Sequence, residues 1–106
     1  FYVGYQGYFD YAVLQILRSC RQIYPQISYS VVLAYMPQQE LPGIEDTETL
    51  LPEQVELAPR RYAMCRRNRW MLEHADCVVT YIRHAYGGAA RYAALAARQG
   101  KEILPL

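Results

Sequence analysis

The chain has no apolar run approaching the length needed to cross a membrane, so no membrane partner is expected. Cysteine is scarce. Cys20, Cys65 and Cys77 are odd in number, lie far apart, form no Cys-x-x-Cys pair and have no histidine at metal spacing. That argues against a disulfide framework and a zinc site, and leaves reduced core thiols of a cytoplasmic protein as the expectation. An excess of one charge is missing too. Eleven basic residues against ten acidic ones leave a net charge of +1, which gives no global signature of nucleic-acid binding. Any electrostatic site must therefore be local. There is no Gly-x-Ser-x-Gly nucleophile elbow, no Walker loop, no metal-ligand set and no internal repeat. Neither a metal nor a resident cofactor is expected.

What is present suits one small globular domain over residues 1–106, with 53% apolar and 20% charged residues. The stretch Asp76–Leu95 organises the reading. A β-branched apolar run, Cys77 to Ile82, suits a buried strand, and the alanine-rich segment beginning near Gly88 suits a helix. Between them lie Tyr86, Gly87, Gly88 and Ala89. A strand, a glycine turn and a helix amino terminus together present bare N–H groups and the positive end of the helix dipole, which favour an anion such as a phosphate. A plain tight turn is the alternative reading of the glycine pair.

In chain order, Phe1–Val3 reads as a short strand, followed by a loop from Gly4 to Phe9. Asp10 is placed to cap a helix with Val13, Ile16, Leu17 and Cys20 on its apolar face, stopped at Pro25. Ser28–Met36 suits a strand covered on both faces. Pro37–Pro59 reads as a long loop, with four prolines, six acidic residues and no basic one. Loops of that length are functional, mobile or plain surface excursions. A helix is expected from Pro59 to about Ala75, another from Gly88 to Gln99 ending at Gly100, and a last strand over Glu102–Leu106. Alternating strands and helices predict an α/β fold, Rossmann-like, in three layers with a mainly parallel sheet. In such sheets ligands bind beyond the carboxyl ends of the strands. That rule points at Gly4–Phe9, Pro37–Ala58 and Arg83–Tyr86.

At ~100° per residue on the helix from Pro59, Ala63, Met64, Trp70, Met71 and His74 share one arc, and Arg67 lies in its middle. A guanidinium on an apolar stripe needs a partner. A ligand phosphate or carboxylate gripped in a bidentate fork is one choice. An internal ion pair with Asp10 or Asp76, or extension to the surface, is the other. Arg61, Arg66 and Arg69 point elsewhere and face the acidic loop as surface charges, and Asn68 falls off the stripe towards solvent. His74 reads as a hydrogen-bonded core residue. Asp10 is either a helix cap or a group that holds a ribose hydroxyl or moves a proton. His84 is either a surface histidine or a second catalytic candidate. Among the eleven tyrosines, Tyr5, Tyr8, Tyr35 and Tyr86 fall near strand ends and could stack on a base. The candidate ligand-binding set is Gly4, Gln6, Gly7, Asp10, Arg67, Tyr86, Gly87, Gly88 and Ala89.

Five segments together resemble the YpsA-like branch of the SLOG superfamily. They are Phe-Tyr-Val-Gly-Tyr-Gln-Gly-Tyr-Phe-Asp (1–10), Val-Val-Leu-Ala-Tyr-Met-Pro (31–37), Arg-Arg-Asn-Arg-Trp-Met (66–71), Ala-Asp-Cys-Val-Val-Thr-Tyr (75–81) and His-Ala-Tyr-Gly-Gly-Ala-Ala (84–90). That superfamily includes the DNA-processing protein A fold and the "lonely guy" phosphoribohydrolases. The resemblance implies a Rossmann-like sheet, a nucleotide or nucleotide-derived ligand and a homo-oligomer. It also implies a further strand, ending in Gly-His-Arg, ahead of Phe1. Arg67 matches the phosphoribohydrolases' substrate-binding arginine, Asn68 replaces the following lysine, and Gly87-Gly88 match their glycine pair. Their threonine and catalytic glutamates correspond to Arg91, Ala93 and Ala94, so no carboxylate remains there to stabilise an oxocarbenium-like transition state. Ligand binding is thus favoured over N-glycoside hydrolysis. Single-stranded nucleic-acid binding, as in the DNA-processing relative, is disfavoured by the near-neutral charge.

Overall fold

The computed structural model describes all 106 residues. Its elements are β1 (Tyr2–Val3), α1 (Tyr8–Ile23), β2 (Ser30–Val32), β3 (Glu48–Leu50), α2 (Glu53–Glu56), α3 (Arg60–Glu73), β4 (Cys77–Thr80), α4 (Gly88–Arg98) and β5 (Glu102–Pro105). The class is α/β and every strand pairing is parallel, as the alternation of elements predicts. The strands form two sheets, β1-β2-β3 and β4-β5. Contacts gather into two compact units, Phe1–Arg67 and Asn68–Leu106, with the boundary falling inside α3. No helix is long and apolar enough to cross a membrane.

In the first unit the sheet is pinned by register. Val3 stands opposite Val31, and Val31 opposite Thr49. Successive side chains on a strand face opposite ways, yet Val31 and Val32 are both 0% exposed, so both faces of β2 are covered. On one face Val3, Val31 and Leu33 join Leu14 and Leu17 of α1, with Tyr29 and Ile44 completing the cluster.

The inward face of α1 differs from the expected one. Leu14 and Leu17 are buried, Asp10, Val13 and Cys20 are half-buried, and Ile16 is 61% exposed. These positions follow the helical spacing i, i+3, i+4, i+7, which places Ile16 on the outer side. The same spacing turns Asp10 inward. The helix starts earlier than expected, with Gly7 as N-cap and no side-chain cap, so Asp10 occupies the first turn and is not the cap. Gly7 has φ 102° and ψ −175°, a conformation open essentially to glycine alone. At the other end the Tyr24 N–H donates to the Cys20 carbonyl and Pro25 follows, as the sequence implies.

The segment 37–59 is not one long loop. It contains β3, whose Leu50 carbonyl accepts from the Leu33 N–H at 2.7 Å, and the short helix α2 with Val55 fully buried. The β2–β3 crossover is therefore a tethered loop without a helix. The Arg18 guanidinium donates to the Gly43 carbonyl at 2.7 Å, and Tyr5 Oη donates to the Pro42 carbonyl at 2.6 Å. Hydrogen bonds from its own N–H and that of Gly43, helped by Arg18, hold the Glu45 carboxyl below the usual carboxylate range.

In the second unit β4 and β5 pair from Cys77 opposite Glu102 to Thr80 opposite Pro105, with α4 as the crossover. Alanines suit α4 both for helix propensity and for close packing, and Ala96 is fully buried. Gly100, at φ 75°, ends the helix as expected. The Lys101 N–H reaches the Ala96 carbonyl and the Gly100 N–H reaches that of Ala97, closing a Schellman motif.

The burial pattern of α1 sets an expectation. Leu17→Ala should cost ~2–5 kcal/mol, whereas Ile16→Ala should stay within ~0.5 kcal/mol of wild type. Urea denaturation measures both, and equal losses would contradict the assigned face.

Candidate anion-binding site around Arg67

Arg67 is the single buried charged side chain, 6% exposed, one turn beyond the buried Ala63 on α3. The helical arc thus places it as expected, and Arg61, Arg66 and Arg69 are exposed. Its Nη1 donates to the Val32 carbonyl at 3.4 Å, a long bond that brings the guanidinium to the carboxyl end of β2. On the other side lies Gly4, just after β1. A Cβ at Gly4 would stand 2.5 Å from Arg67 Nη1 and 2.6 Å from Asp10 Oδ2. The cation and the carboxylate therefore crowd the same bare Cα, and only glycine leaves room for both. Asp10 Oδ2 also accepts from the Gln6 N–H at 2.8 Å, so the first-turn acid reaches back to the backbone ahead of its helix. Of the two acids foreseen as internal partners for Arg67, Asp10 is the one that shares the space at Gly4 with it. A buried guanidinium without such an arrangement would cost several kcal/mol, roughly.

Beside this cluster is a cavity of about 140 Å³, with walls that include Tyr5, Gln6, Ala34, Tyr35 and Arg67. It lies at the carboxyl ends of β1 and β2, where the topology of parallel sheets puts ligands. Pro37 and Leu41 line it as well. Both lie in the segment 37–58 that the strand-end rule points at, although neither is among the individual residues expected to bind. A wider groove of about 430 Å³ is lined by Tyr35, Gln38, Gln39, Glu40, Pro42 and Arg60 among others. There the Arg60 guanidinium lies over the Tyr35 ring, 4.6 Å from its centroid.

Of the predicted site residues, Gly4, Gln6, Asp10 and Arg67 come together in the first unit, with Gly7 at the start of α1. Tyr86, Gly87, Gly88 and Ala89 belong to the second unit and are exposed. Gly87 is the N-cap of α4 at φ 95° and ψ −177°, without a side-chain cap, and space beside Gly87 and Gly88 is open. The two catalytic candidates fall in different units. Asp10 is engaged as described, and His84 is exposed and stacks on Tyr86 with centroids 5.2 Å apart.

Two expectations on α3 fail. His74 is exposed, not a core residue, because it lies one position beyond the helix. Its Nδ1 and the Trp70 carbonyl oxygen are 2.8 Å apart, and its ring stacks on Trp70. Asn68, expected towards solvent, is half-buried.

Fold and site together define a small parallel α/β domain whose one buried cation borders a cavity at the strand ends. Comparison with protein-family models, with curated proteins and with solved structures finds no significant match.

Crowding at Gly4 gives a signed expectation. In open space Gly→Ala would stabilise the fold by ~0.4–1 kcal/mol through chain entropy. Against Arg67 and Asp10, Gly4→Ala should instead destabilise by ~1–3 kcal/mol. A rise in the urea midpoint would contradict the close approach.

Proposed function

We propose that the chain is a ligand-binding domain of SLOG type, working in the cytoplasm, that holds the anionic group of a nucleotide or nucleotide-derived molecule through Arg67. The observation that carries this reading is a nearly fully buried guanidinium bordering a cavity beyond the ends of parallel strands. The Val32 carbonyl accepts from that guanidinium, and Asp10 brings a carboxylate to the same bare Cα of Gly4. An arriving phosphate or carboxylate then meets donors already in place, which spares the ordering cost that a flexible surface arginine would carry. Binding is favoured over catalysis because the Asp10 carboxylate is already engaged by the Gln6 N–H. The five sequence segments resembling the YpsA-like branch support the same ligand class.

Thermal-shift titration with nucleoside monophosphates tests the reading, since a ligand that binds only the native state raises its stability by ~2.7 kcal/mol at a hundred times its Kd. Arg67→Lys keeps the charge but loses the planar fork and should weaken binding roughly 10- to 100-fold, the worth of a charged hydrogen bond of ~1.5–3 kcal/mol. Arg69→Ala should leave binding unchanged. Equal effects of the two substitutions, or no shift with any nucleotide, would overturn the proposal.

A further inference from the structure

We infer that the ligand has two parts, and that its uncharged planar body lies outside the arginine cavity, in the groove formed by residues 35–42 and Arg60. The inference rests on the anion-binding reading above. Size is the first argument. A cavity of about 140 Å³ takes a group of roughly benzene's bulk, whereas sites for whole small molecules span ~300–1,000 Å³. The Arg67 cavity can therefore hold a phosphate or carboxylate head and little more. The neighbouring groove, about 430 Å³, reaches the required range. The two spaces share Tyr35, Pro37 and Leu41 in their walls, so a molecule anchored in one continues into the other.

Chemistry is the second argument. The pairing of Arg60 with Tyr35 makes a flat cationic and aromatic platform, on which a heteroaromatic ring stacks well. Gln38 and Gln39, both exposed, offer amide donors and acceptors beside it, the groups that read the polar edge of a ring. Glu40 also lines this groove and balances Arg60, so a second phosphate gains nothing there. The body is thus planar and neutral, joined to a single anionic head.

Calorimetric titration of the whole chain with a purine nucleoside monophosphate and with ribose 5-phosphate tests this. The two share the anion and the sugar and differ only in the ring. The nucleotide should bind about tenfold tighter to the wild type. Arg60→Gln should reduce that advantage to threefold or less while changing ribose 5-phosphate affinity less than twofold, and Gln38→Ala, in the groove alone, should do the same. Equal affinity of both ligands for the wild type would overturn the inference and leave the anion site standing. So would an advantage that survives both substitutions. Failure of both ligands to bind would overturn the anion site itself and this inference with it.

Discussion

The first unit depends on how it accommodates one positive charge. Arg67 is carried into the interior by α3, and its guanidinium meets the end of β2 through the Val32 carbonyl and Asp10 across the bare Cα of Gly4. Each partner constrains the chain in turn. Asp10 shares the inward side of α1 with Leu14 and Leu17, which pack with Val3 and Val31. Gly4 must lack a side chain, and Gly7 must adopt a backbone that other residues avoid, so that the chain can turn from β1 into α1 within four residues. A buried guanidinium is costly unless it is hydrogen-bonded and near opposite charge.

Much of this is legible in the sequence. Helical geometry alone singles out Arg67 among the arginines of α3, because steps of ~100° and ~200° separate it from Arg66 and Arg69. The parallel strands, the stop at Pro25 and the Schellman ending at Gly100 followed from local residue chemistry. In the sequence Asp10 reads as a helix cap or a site group, and the cap reading fails because Gly7 holds that position. A cap and a first-turn acid differ by three residues in where the helix begins, and a glycine can take the cap position silently.

The misses share a physical cause. β3 and α2 are three and four residues long, too short to show a period, and sit among prolines and acids that read as loop. Their order comes from tertiary partners, the Leu33–Leu50 hydrogen bond and the pocket that receives Val55. On α3 the single-stripe reading assumed one core along the whole helix. Its first half belongs to one compact unit and its second half to another, so Leu72 is buried off the arc while His74, past the helix end, is exposed. The cavity walls at Pro37 and Leu41 depend on how the β2–β3 crossover folds back. Tyr5 and Arg18 fix that path through contacts 37 and 25 residues distant in sequence, beyond the reach of any local pattern.

The central claim is that the guanidinium of Arg67, buried as it is, remains reachable by a small anion. Nitrogen-detected NMR of the arginine side chains during titration with inorganic phosphate tests it most directly. The account predicts a saturable shift of the Arg67 Nε resonance together with the Tyr35 and Leu41 amides, at concentrations that leave Arg61 and Arg66 unmoved. A response confined to those exposed arginines, with Arg67 silent, would contradict it.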